Sequence, residues 1–198
     1  MDTALEIARI AIPTLATFVG AYLAYAVGRR MKQTVEERRL DAYLGLWPVL
    51  RVAAATRLEG EWAGGPLTER ERSDLFNATT DWYYGKRENG KGYGPFLTAR
   101  ARKIYFQAKK NLICPIDKIE PEENREWVKQ SKDVEAARGE MSIRQFSMVR
   151  WVMRFDIRLH TEPYSQDLEA LEIDFLDSCE IDWRRRPFRK WGKVSQQS

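Results

Sequence analysis

The residues best suited to chemistry lie in the last third of the chain. Arg154 and His160 stand six positions apart, in Arg154-Phe-Asp-Ile-Arg-Leu-His160. In such a pair the guanidinium can hold a phosphate, and the imidazole can give or take a proton near neutral pH. Arg150, Arg154 and Arg158 recur every fourth residue, so a helix would carry them as one basic ridge. That ridge suits phosphates of RNA, of a nucleotide or of lipid headgroups. The plainer reading is a solvated face, or pairing with the acidic final helix, beside a histidine favoured by the negative end of its helix. A third basic element is the tail Trp183-Arg184-Arg185-Arg186-Pro187-Phe188-Arg189-Lys190-Trp191. Its mix of charge and rings suits an anionic membrane surface, RNA by stacking, or a solubilising tail.

Other chemistries are excluded by composition. One histidine in 198 residues excludes a multi-His metal site within one chain. Two cysteines, Cys114 and Cys179, exclude a disulfide scaffold and an all-Cys zinc site. No phosphate loop and no nucleophile elbow occurs. The expectation is therefore no metal, no cofactor and, on balance, no catalysis.

The elements that would position these residues begin with an uncharged run. Ile10 to Val27 holds 18 residues without a charge, inside a chain that is 31% charged. As a helix it spans about 27 Å, close to the roughly 30 Å of a bilayer core. The basic cluster Arg29, Arg30 and Lys32 follows it, whereas Asp2, Glu6 and Arg9 precede it. The positive-inside rule then puts the N-terminus outside and the remainder in the cytoplasm. Ala24-Tyr25-Ala26 has the look of a cleavage site, but no positive n-region precedes the run. An uncleaved single-pass anchor in the inner (cell) membrane is expected. Gly20, Ala24 and Gly28 form a small-xxx-small ridge through which such a helix could self-associate.

Helical periodicity dominates the rest. Leu40, Tyr43, Trp47, Leu50, Ala54 and Leu58 share one face of a helix that Pro48 would kink. Thr68 and Glu71 form a capping box opening a helix to about Tyr84, and Gly85 to Pro95 reads as a connector. Thr98 caps a helix that buries Ala101, Ile104, Tyr105, Ala108 and Leu112 and ends at Pro115. Residues 115–141 read as a partly helical, mobile excursion. Ser142 and Gln145 suggest a second capping box, with a helix to about Leu159 burying Phe146, Val149, Val152, Met153 and Ile157. Ser165 would cap a last, acidic helix carrying Leu168, Leu171, Phe175 and Cys179 inward. The fold class is all-α: a transmembrane helix (4–28), a cytoplasmic bundle of about five helices (29–182) and a basic-aromatic tail (183–198).

Several short motifs together carry a resemblance. Glu37-Arg38-Arg39-Leu40-Asp41-Ala42-Tyr43 follows the apolar run. Asp81-Trp82-Tyr83-Tyr84, a glycine-rich loop, Phe96-Leu97-Thr98 and Val149-Arg150-Trp151-Val152-Met153-Arg154-Phe155-Asp156-Ile157 come later. The whole resembles a loose group of uncharacterised bacterial membrane-anchored helical proteins, which implies a fold and a topology but no chemistry. Arg154 and His160 match the R-x(4–6)-H pattern of HEPN ribonucleases, which are helical bundles that pair two such motifs across a dimer. Phe155 departs from that pattern, which places a polar residue after the arginine. Membrane-anchored HEPN-like accessory proteins of CRISPR systems look similar and imply a pore-forming ring. The expected role is a protein-interaction, oligomerisation or regulatory module held at the lipid bilayer. The alternatives are an HEPN-like ribonuclease using Arg154 and His160, or an oligomeric pore or effector in antiviral defence.

Overall fold

The computed structural model describes residues 2–58, 64–85, 92–157 and 168–181, without the side chains of residues 2–21, 23 and 55. Among the described residues all regular structure is helical. Six α-helices appear in order: α1 (Asp2–Val49), α2 (Glu69–Tyr84), α3 (Ala99–Ile113), α4 (Glu122–Gln130), α5 (Val134–Asp156) and α6 (Ala170–Ser178). The chain divides into two units, Met1–Leu40 and Asp41–Ser198, so α1 contributes to both.

In the first unit the side chains of Tyr22, Tyr25, Val27, Met31 and Val35 are exposed. Among the described residues no helix is long and apolar enough to cross a membrane. Most of the Ile10–Val27 run, residues 10–21 and 23, lies outside those whose side chains are described.

The second unit is built around α5. Helices α2, α3, α4 and α6 and the 3-10 turn Leu50–Ala53 all pack on it. In its middle Ile143, Phe146, Met148, Val149, Val152 and Met153 are all buried. The remaining stripe of Arg144, Ser147, Arg150 and Trp151 is half-buried and leads to the exposed Arg154. The end of α1 supplies Ala42, Tyr43 and Leu46 to the same core. Leu40, expected inward with them, is 39% exposed. Pro48 does not stop α1, which runs to Val49 and only then tightens into the 3-10 turn.

The caps explain most helix starts. Thr68 and Glu71 form a reciprocal capping box on α2, and Gly85 closes that helix with φ of 76°. Thr98 caps α3 by accepting from the Ala101 amide. One expected start is corrected. Asp133 caps α5, nine residues before the expected cap, and Ser142 sits mid-helix, donating to the Arg138 carbonyl. The last helix, expected from a cap at Ser165, which lies outside the described residues, begins at Ala170 on a capping box of Glu169 and Glu172. The segment 115–141 is helical in part, as expected, and carries a core of its own. Ile119, Val128, Ala137 and Met141 form a small second core there, with α4 packed on the first turns of α5. The apolar residues of the segment are too few to form a period, but four buried side chains suffice to hold a short helix on a long one.

One close approach is decisive. At Gly139 a Cβ would stand 2.2 Å from the Leu67 carbonyl oxygen and 2.6 Å from its nitrogen. Helix α5 therefore lies directly on the backbone that precedes α2. Gly139→Ala should destabilise the fold by about 2 kcal/mol. Gly28→Ala, with nothing within 4 Å of the added carbon, should leave the urea midpoint unchanged in the same experiment.

Candidate functional site

The end of α5 carries two of the residues the sequence marks for chemistry, Arg150 and Arg154. Arg150 and Arg154 both lie over the indole of Trp47, at 4.3 and 5.3 Å from its centroid. Each such stack is worth about 0.5–1 kcal/mol at an exposed site. The expected basic ridge is thus half applied to an aromatic surface of the same unit. In the acidic segment Glu169 meets Arg144 at 2.5 Å, and Glu180 meets Lys103 at 2.6 Å. Arg158, His160, Arg184, Arg185, Arg186, Arg189 and Lys190 lie outside the described residues. In α1, Ala24 and Gly28 are exposed, and the side-chain surroundings of Gly20 are not among those described.

Asp156, between Arg154 and the end of α5, is the residue that sequence reasoning passed over. Its carboxylate is 4% exposed. It accepts from the Tyr43 hydroxyl at 2.7 Å, the Thr98 hydroxyl at 2.5 Å and the Arg100 guanidinium at 3.0 Å. These donors come from α1, the cap of α3 and the first turn of α3. Burial, with the carboxylate beside it, raises the Tyr43 phenol well above its ordinary value, so Tyr43 stays a donor. The arrangement is a closed knot in which each polar atom is answered.

A second polar feature lies on the outer face of α2 and α3. Six rings, Tyr93, Trp82, Tyr83, Tyr84, Tyr105 and Phe106, run in edge and stacked contacts of 5.0 to 6.4 Å. The Trp82 Nε1–H donates to the Ala42 carbonyl and the Tyr105 hydroxyl donates to the Thr79 carbonyl, which fixes the inner end of the row. Gly94 permits it, because a Cβ there would meet the Tyr83 ring at 2.4 Å. At the outer end Lys109 is 7% exposed. Its ammonium sits 4.7 Å from the Phe76 centroid and 5.9 Å from that of Tyr84. Burial lowers its pKa. One signal in the sequence pointed here: Lys109 is four residues after Tyr105 and three before Leu112, which share the inward face of α3.

The cysteines are quiet. Burial raises the Cys114 thiol and pushes that of Cys179 up to about 11, the reverse of an activated nucleophile. Among the described residues no group of three or more His, Cys, Asp or Glu could hold a metal ion. The chain matches no protein-family model, no curated protein and no solved structure.

Two outcomes follow for these clusters. Asp156→Ala strands three donors and should cost about 3 kcal/mol in urea unfolding, against about 1.5 kcal/mol for Tyr43→Phe. Lys109 has a folded pKa below its unfolded value of 10.5, so its burial costs stability as pH falls and the group protonates. Lys109→Met should therefore raise the urea midpoint at pH 7, with the gain over wild type shrinking as pH rises toward 10.5.

Proposed function

We propose that the chain is a single-pass membrane protein whose helical unit works from the cytoplasmic side as a protein-interaction and oligomerisation module. The observation that carries this reading is the Ile10–Val27 run, 18 uncharged residues lying within a 48-residue helix and followed by Arg29, Arg30 and Lys32. At 1.5 Å per residue that helix is about 72 Å long, far more than a core element of so small a unit requires. The apolar side chains Tyr22, Tyr25 and Val27 stand exposed in it. Lipid is the environment in which such a surface is stable. Ala24 and Gly28, both exposed, leave a narrow face on which a second copy can approach closely. The resemblance to membrane-anchored helical proteins points the same way.

The interaction reading is preferred to catalysis because of what surrounds Arg154 and Asp156. Arg154 is stacked on Trp47, and the adjacent carboxylate is consumed by three structural donors.

An alkaline carbonate wash tests the anchor. Full-length protein should remain with the membrane pellet, and Val19→Arg should release a large share of it. A charge at the centre of a span costs about 2.5–3.5 kcal/mol. Wild-type protein in the supernatant would overturn the reading. RNA cleavage that disappears with His160→Ala would select the ribonuclease alternative instead.

A further inference from the structure

We propose that the outer face of α2 and α3 docks an amphipathic helix of a partner protein, which sets one carboxylate against Lys109. The proposal names the partner class of the interaction module above and rests on that reading, though not on its anchor.

The charges of α3 carry the argument. The helix holds five bases, Arg100, Arg102, Lys103, Lys109 and Lys110, and no acid. Three of the five meet carboxylates within the fold. Arg100 reaches Asp156 at 3.0 Å, Lys103 reaches Glu180 at 2.6 Å and Lys110 reaches Glu120 at 2.9 Å. Among the described residues no carboxylate pairs with Lys109, although it is the most buried of the three lysines at 7% exposure. The Phe76 and Tyr84 rings attract its ammonium but do not neutralise it. A desolvated cation answered only by rings leaves a carboxylate contact unmade, and an incoming anion gains more there than at an open surface.

The surroundings define what brings that anion. Tyr84 is 59% exposed, Phe106 39% and Ile113 52%. Tyr83 links the first two, with ring centroids 5.0 Å from both. Phe106 and Ile113 lie two turns apart on α3, about 10 Å along its axis, with Lys109 between them. The complementary shape is a helix with two apolar side chains seven positions apart and one Asp or Glu midway. This is the usual mode by which a helix lies along a groove. A polyanion fits less well. Glu180 and Glu120 already balance Lys103 and Lys110, so among the described residues only Lys109 and the exposed Arg102, whose guanidinium reaches the Leu97 carbonyl, are left on α3 without a carboxylate. Lipid headgroups and nucleic acid need several bases together.

The test uses the full chain in phosphatidylcholine nanodiscs, or in buffer if carbonate shows it to be soluble. The probe is a fluorescent alanine- and glutamine-based helical peptide with two leucines seven positions apart and one glutamate midway. Anisotropy should show binding that weakens about tenfold or more when the peptide glutamate becomes glutamine. Lys109→Met, which keeps the stem on Phe76, should abolish that difference, with an unchanged circular dichroism spectrum as its control. Phe106→Ala, at an exposed position, should weaken both peptides alike. Equal affinity for the two peptides on wild-type protein, or no binding of either, would overturn the proposal. Lys109-dependent binding to phosphatidylglycerol vesicles would also overturn it, in favour of lipid. Carbonate extraction reads the anchor and anisotropy reads this face, so each can fail without the other.

Discussion

A nearly water-free carboxylate holds the second unit together. Asp156 sits at the end of α5, and a buried charge without partners costs several kcal/mol. Its three donors are therefore constraints as much as bonds. Tyr43 fixes the end of α1, Thr98 fixes the cap of α3, and Arg100 fixes the first turn of the same helix. Thr98 serves twice, since its oxygen also accepts from the Ala101 amide. The start of α3 is thereby set by the same atoms that set the end of α5, and the largest helix pair of the unit is held in register from one end.

From that register the outer faces follow. Helix α5 has neighbours on nearly every side, and Gly139 lets the Leu67 backbone come into direct contact with it. Helices α2 and α3 then lie outside it and must present a face to the surroundings. The aromatic row between them is anchored inward by Trp82 and Tyr105, so Tyr84 and Phe106 are left outward. Lys109 lies at the edge of that row because its stem belongs to the buried stripe while its ammonium does not. The interaction surface is in this sense a by-product of how the core is filled. The basic residues near Arg154 are, by contrast, drawn back onto Trp47.

Much of the bundle was legible because its signals are local. Thr68 with Glu71, Gly85 and Thr98 each act within one helical turn, and each does what its residue type implies. The inward stripe of α3, Ala101, Ile104, Tyr105, Ala108 and Leu112, is buried as its period requires. The Ser142–Gln145 signature misled because α5 was already under way: Asp133 supplies the cap, and Ser142 bonds backward to Arg138 instead. The segment around α4 was illegible because its stability comes from Ile119 and Val128 meeting Ala137 and Met141, which no short window contains.

What the sequence determined by itself is the helical class, the caps of α2 and α3, the inward stripe of α3 and the uncharged run before Arg29. All of these depend on residues a few positions apart, where backbone geometry alone decides who meets whom. The tertiary structure decided which charges are answered. Asp156 finds Tyr43 across 113 positions and Thr98 across 58, and Lys103 and Lys110 find Glu180 and Glu120. Whether a lysine is compensated or left on two aromatic rings depends on which helix lies beside it. That is why the inward stripe of α3 marks Lys109 in the sequence, while only the packed helices leave it, one of five bases on α3, without a carboxylate among the described residues.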